Sequence, residues 1–73
     1  MKTPPRIWKT LSKREAQVAK LLMPARLDSH EIGVKLGISV KTVDSHRLAV
    51  LSKLRLRNNA QLSLWGLRKG LIR

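Results

Sequence analysis

The stretch Asp28–Leu54, DSHEIGVKLGISVKTVDSHRLAVLSKL, reads as two helices separated by the short break Gly37-Ile38-Ser39. Asp28 is an N-cap whose carboxylate accepts a backbone N–H bond while Glu31, three residues on, reaches back, a capping-box arrangement. Ile32 and Leu36, four apart, form the apolar side of this helix. Gly37 supplies the left-handed conformation that closes a helix without a Cβ penalty, and Ile38 turns the chain back toward a core. Ser39 is a second N-cap. After it Val43, Val50, Leu51 and Leu54 recur at helical spacing, which predicts a second helix of about 15 residues, roughly 22 Å long. Such a pair is a helix-turn-helix, and the second helix has a length that suits a DNA major groove. Gly33 inside the first helix costs about 1 kcal/mol relative to Ala, so its presence predicts a close approach of the second helix at that point.

With 73 residues the chain holds one domain at most, so every apolar stripe has to be used. The 16 Lys and Arg against 4 Asp and Glu give a net charge of +12, which points to a polyanionic partner. Lys2, Arg6, Lys9, Lys13 and Arg14 crowd the beginning, and Arg47, Lys53, Arg55, Arg57, Arg68, Lys69 and Arg73 fill the second half without an acid among them. The acids, Glu15, Asp28, Glu31 and Asp44, fall between, mostly at helix starts where the dipole favours them, and read as structural. The absence of cysteine rules out a disulfide framework and a thiolate zinc site. His30 and His46 have no ligand partner three or four residues away, so no metal site and no other cofactor is expected. Neighbouring Ser45 and His46 point about 100° apart on a helix and make no catalytic pair, and no carboxylate dyad is present. No apolar run reaches the ~18 residues of a membrane span, and no secretory leader follows Met1. The expectation is a protein without enzymatic activity, without a small-molecule site and off the membrane.

Residues 1–10, MKTPPRIWKT, read as an irregular basic arm, with Trp8 more readily packed back on the domain than stacked on DNA. Residues 11–73 form the domain. Ser12 and Glu15 make another capping box with Leu11 as the hydrophobic staple, opening a helix whose buried stripe is Val18, Leu21 and Leu22 with small Ala16 and Ala19 beside it. Pro24 stops this helix, and residues 24–27 are a loop. After the helix-turn-helix, Arg55 to Asn58 is a basic connector, and Asn58 caps a last helix from Asn59 to about Lys69 that ends at Gly70. The fold class is all-α, a compact four-helix domain around a central helix-turn-helix.

These residues resemble the LuxR-type (GerE-type) DNA-binding domain of bacterial transcription regulators. The resemblance rests on Leu11, Arg14, Glu15, Val18 and Leu22, on Glu31-Ile32, and on Leu36-Gly37-Ile38-Ser39. It continues through Lys41-Thr42-Val43, His46, Lys53-Leu54, Arg57-Asn58, Leu62 and Gly70-Leu71-Ile72, so that it covers Leu11 to Ile72. It implies that residues 40–54 are the recognition helix and that the last helix mediates dimerisation on DNA. Three departures stand out. The Pro24-Ala25-Arg26 stretch is one residue longer than usual and lacks the customary glycine. Arg55 replaces another common glycine, so the recognition helix is free to end differently. Where the family places its base readers, this chain has Asp44, Ser45 and Leu48 in place of lysines.

Independently of the family, a second helix that buries Val43, Val50 and Leu54 presents Lys41, Asp44, Ser45, Leu48 and Ser52 on the opposite side. The residues expected at base edges are Lys41, Thr42, Asp44, Ser45 and Leu48, with the N-terminal end deepest in the groove. Those expected at phosphates are Ser39, His46, Arg47, Lys53, Arg55 and Arg57, contributing affinity and salt dependence more than discrimination. His46 stands equally well as a packed histidine. On the last helix Gln61, Leu64, Trp65 and Arg68 are the expected dimer face, since Leu64 with Trp65 would leave an apolar patch on a small domain.

The leading reading is sequence-specific binding of double-stranded DNA by a homodimeric bacterial transcription regulator or its output domain, cytoplasmic and at the nucleoid when bound. The alternative is a small interaction protein that pairs with a larger LuxR-type regulator and has no operator of its own; a duplex shift by the isolated chain separates the two. A cationic membrane-active or RNA-binding role fits poorly, because capping boxes and a placed Gly37 specify a packed fold and no aromatic platforms for single strands are present.

Overall fold

Four short polar side chains start the four helices of the computed structural model, which describes residues 6–23 and 27–71. The helices are α1 (Lys13–Leu22), α2 (Ser29–Leu36), α3 (Val40–Leu54) and α4 (Asn59–Arg68), with no strand among the described residues. Ser12, Asp28, Ser39 and Asn58 are the N-caps, each accepting the backbone N–H of the residue three positions on. Each satisfies an orphan donor of the first turn, worth about 1 kcal/mol. Both capping boxes close: the Ser12 N–H donates to Glu15 Oε1 at 2.8 Å and the Asp28 N–H to Glu31 Oε1 at 3.3 Å. The expected loop Pro24-Ala25-Arg26, the first five residues and Ile72 lie outside the described residues.

One apolar cluster holds the helices together. Val18, Ala19 and Leu22 of α1, Ile32 of α2, Val43, Val50, Leu51 and Leu54 of α3, and Leu62 of α4 form it, closed by Trp8, Leu11 and Met23. Val18, Ile32, Val43, Val50 and Leu62 are fully buried. Each contributes about 1.5–3 kcal/mol by leaving water. In α1 the centre of the stripe is Val18-Ala19-Leu22, and Leu21 packs only against its edge. The radius of gyration is 11.4 Å, close to the ~11 Å of a fully compacted chain of this length.

The N-terminal segment departs from the irregular arm expected of it. Arg6–Thr10 is a 3-10 turn, and its Trp8 enters the core. Trp8 stacks on Trp65 of α4 with ring centroids 6.0 Å apart and planes at 23°. Offset stacks of this kind add about 0.5–1.5 kcal/mol beyond area burial.

The turn between α2 and α3 is set by two glycines with different tasks. Gly37 takes φ +69, and the Ile38 N–H returns to the Gly33 carbonyl at 2.9 Å. That bond draws the turn onto α2, so a Cβ on Gly33 would sit 2.7 Å from the Ile38 carbonyl oxygen. The close approach predicted at Gly33 is therefore made by the turn's backbone rather than by the body of α3.

The end of α3 repeats this geometry without a glycine. Arg55 is the only non-glycine at positive φ among the described residues, with φ 59 and ψ 43. The Leu56 N–H returns to the Leu51 carbonyl at 2.8 Å, as Ile38 does to Gly33 and Leu71 to Gly66. The helix thus ends where a glycine would end it, with the cost of a left-handed Cβ, about 1–2 kcal/mol, carried by Arg55.

Candidate nucleic-acid interface

Helix α3 has one face in the core and one in solvent, and the boundary between them decides which side chains are free. Lys41, Ser45, Leu48 and Ser52 are exposed and lie in one stripe at i, i+4, i+7 and i+11. Val40, the first residue of the helix, is 41% exposed beside them. Thr42 and Ser39 are also exposed but engaged with one another: the Thr42 N–H donates to Ser39 Oγ at 3.1 Å and the two hydroxyls share a bond of 2.9 Å. Both retain lone pairs toward solvent while holding the first turn of α3 in shape.

Asp44 does not share this stripe. It is the fifth residue of α3, half-buried on the flank that faces α2, where its Oδ1 accepts the Ser29 hydroxyl at 2.5 Å and lies 3.6 Å from Arg47 Nε. Asp44 lies near the edge of the helix wheel with 42% of its side chain still exposed, and the serine that holds it, fifteen residues away, could not be read from the periodicity. Ser29 carried no signal of this in the sequence beyond its place at the start of α2.

Lys53 was expected at a phosphate, and the structure gives its ammonium another partner. Lys53 Nζ lies 2.7 Å from Glu15 Oε1 and 3.3 Å from the Thr10 carbonyl oxygen, tying α3 to α1 and to the N-terminal turn. Glu15 is buried, and its Oε1 takes both Lys53 and the Ser12 N–H. The Lys53 ammonium first, then the Ser12 N–H, hold the Glu15 carboxyl below its ordinary value of 4.5, against burial, which pushes it up. His46 is half-buried on the same flank of α3 as Lys53. Arg55 and Arg57, past the end of α3, are exposed.

All four acids are now accounted for inside the fold. Glu15 holds Lys53, Asp28 and Glu31 cap α2, and Asp44 holds Ser29 and Arg47. The remaining surface is left strongly positive, which is the electrostatic condition for binding a polyanion.

On α4, Gln61, Leu64 and Arg68 are exposed, and Leu64 and Leu67 are 53% and 48% accessible. Trp65 is only half-buried by its stack on Trp8, so the open apolar pair of this helix is Leu64 with Leu67 rather than Leu64 with Trp65. Gln61 also closes the start of α4, its Oε1 accepting the Arg57 N–H at 2.7 Å. An open groove of about 440 Å³ runs between Leu56, Gln61, Leu64, Trp65, Arg68 and Lys69. Among the described residues no cluster of His, Cys, Asp or Glu could hold a metal ion, and no helix is long and apolar enough to cross a membrane.

Residues 9–65 match the family described as bacterial regulatory proteins, luxR family. The chain is also 37% identical over 65 residues to the oxygen regulatory protein NreC of Staphylococcus aureus strains JH9, JH1 and USA300. These matches cover 89% of this chain and 30% of each relative, so the chain spans less than a third of the length of the curated relatives it matches. The matched segment runs from the N-terminal turn through Trp65 and includes every residue of the helix-turn-helix. The chain belongs to the luxR family of bacterial regulatory proteins, as an all-helical, DNA-binding helix-turn-helix domain of LuxR type.

Proposed function

We propose that the chain binds specific sites in double-stranded DNA as the output domain of a bacterial transcription regulator, acts in the cytoplasm, and does so as a homodimer paired through α4. The observation that carries this reading is the solvent stripe Lys41, Ser45, Leu48 and Ser52 on a helix whose other side is fully committed to the core. A helix of 15 residues, held by α2 behind it and capped by Ser39, is a rigid rod about 22 Å long that enters a major groove N-terminus first. Lys41 in the first turn is then carried to the base edges and the phosphates beside them, and Arg55 and Arg57 beyond the last turn lie where phosphates flank the groove contact. Lys53 is assigned a structural part, since neutralising a phosphate would take its ammonium from Glu15. Leu64, Leu67 and Arg68 supply the pairing face of α4, with Gln61 at its edge.

Selection of duplexes from random sequence by the 73-residue chain, followed by a salt titration, tests this. A single recovered motif with two-fold symmetry is the expected result. Lys41→Ala should lower the slope of log affinity against log salt by about one unit, and Lys53→Ala should leave that slope unchanged while lowering the melting temperature. Recovery of no motif, with equal binding to RNA of similar length, would overturn the reading.

A further inference from the structure

Leu48 is the anomaly of the groove-facing stripe. It is 59% exposed, takes no part in the apolar cluster, and has Ser45 one turn before it and Ser52 one turn after it. Of the charged side chains beside it on the helix, Arg47 at i−1 and Asp44 at i−4 are both half-buried and paired with one another, Asp44 also with Ser29 of α2. An isobutyl group therefore stands alone between two hydroxyls at the middle of α3. It can neither donate nor accept a hydrogen bond, so opposite an unmethylated base edge it would strip water from N7, O6 or an amino group and return nothing. The one apolar feature that base pairs present in the major groove is the C5-methyl group of thymine.

We infer that Leu48 is a specificity residue that selects a pyrimidine bearing a C5-methyl group, thymine in ordinary DNA, at one position of the binding site. The inference rests on the reading of α3 as the helix that enters the groove, and it adds the chemistry of its central contact. Ser45 and Ser52 adapt to either base as donors or acceptors, so the discrimination at this depth falls to Leu48. The site is accordingly A·T at the step facing the middle of α3, with the thymine methyl turned toward the helix.

The test uses a duplex recovered by the random-sequence selection and replaces each thymine in turn by uracil, which deletes the methyl and keeps every hydrogen-bonding group. The wild-type chain should lose about fourfold in affinity at one position of each half-site, the worth of one buried methyl group. Leu48→Ala should melt like the wild type and bind the thymine and uracil duplexes equally at that position. Leu48→Lys should shift the selected base there to guanine, whose O6 and N7 accept from an ammonium. Placing 5-methylcytosine against guanine at that position should bind more tightly than unmethylated cytosine with the wild type and show no such difference with Leu48→Ala. A wild-type chain indifferent to every uracil substitution, or a Leu48→Ala chain with undiminished sensitivity, overturns the inference while leaving sequence-specific binding intact. A chain that selects no duplex at all overturns the broader reading along with it.

Discussion

Glu15 shows how one side chain serves two scales of structure. Its Oε1 completes the cap of α1 and anchors the Lys53 ammonium from α3. Because the folded carboxyl titrates below 4.5, the unfolded chain takes up the proton first as pH falls. The stability this group adds is fully present above its ordinary value and is lost as pH drops through the depressed folded value. Urea melts across this range should therefore show the gap between wild type and Glu15→Gln shrinking in acid; a gap independent of pH would mean that charge plays no part. Asp44→Ala should cost about 1 kcal/mol by freeing Ser29 and Arg47, and leave the selected DNA motif unchanged. A variant that melts normally but accepts new bases would place the Asp44 carboxylate on the DNA. Neither pairing was legible in the sequence, since the partners are 38 and 15 residues apart and only the packed helices bring them together. The capping roles of Ser12, Asp28, Ser39 and Asn58 were legible because each acts within one turn of its own helix.

At the scale of elements, the helix boundaries and buried stripes followed from local chemistry, and the N-terminal turn did not. Pro4 and Pro5 argued for an extended arm, and the burial of Trp8 that makes Arg6–Thr10 a turn depends on Trp65 at the far end of the chain. The C-terminus of α3 is the instructive junction. A left-handed residue is needed there, and Arg55 meets the need at a steric cost that Gly37, the corresponding residue of α2, does not carry. Arg55→Gly should raise stability by about 0.5–1 kcal/mol, the relief of the left-handed Cβ less the added entropy of an unfolded glycine. The same variant should bind DNA more weakly with a slope against log salt shallower by about one unit, because the guanidinium beyond the recognition helix is gone. Thermal melts and salt titrations on one pair of proteins measure both, and a variant no more stable than wild type would show that Arg55 recovers its strain elsewhere.

For the whole molecule, a net charge of +12 on 73 residues opposes association of two copies in free solution, and a duplex removes that opposition by neutralising both. Leu64→Ala is the cleanest probe of the α4 pairing face, since Leu64 is 53% exposed and its loss should leave the melting temperature unchanged. It should weaken occupancy of a duplex with two half-sites more than binding to one half-site. Equal losses on both would remove α4 from the dimer. The pairing of Trp8 with Trp65 bears on how any such change can be watched. The chain has two tryptophans and no tyrosine or phenylalanine, so the benzenoid chromophores of the whole molecule form one stacked couple. Its near-ultraviolet dichroism and intrinsic emission are therefore a gauge of a single junction, the seat of the N-terminal turn on α4. A duplex gripped by α3 alone would leave that optical signal silent. A partner pressing on α4, or a pull on the chain ahead of Arg6, would change its colour.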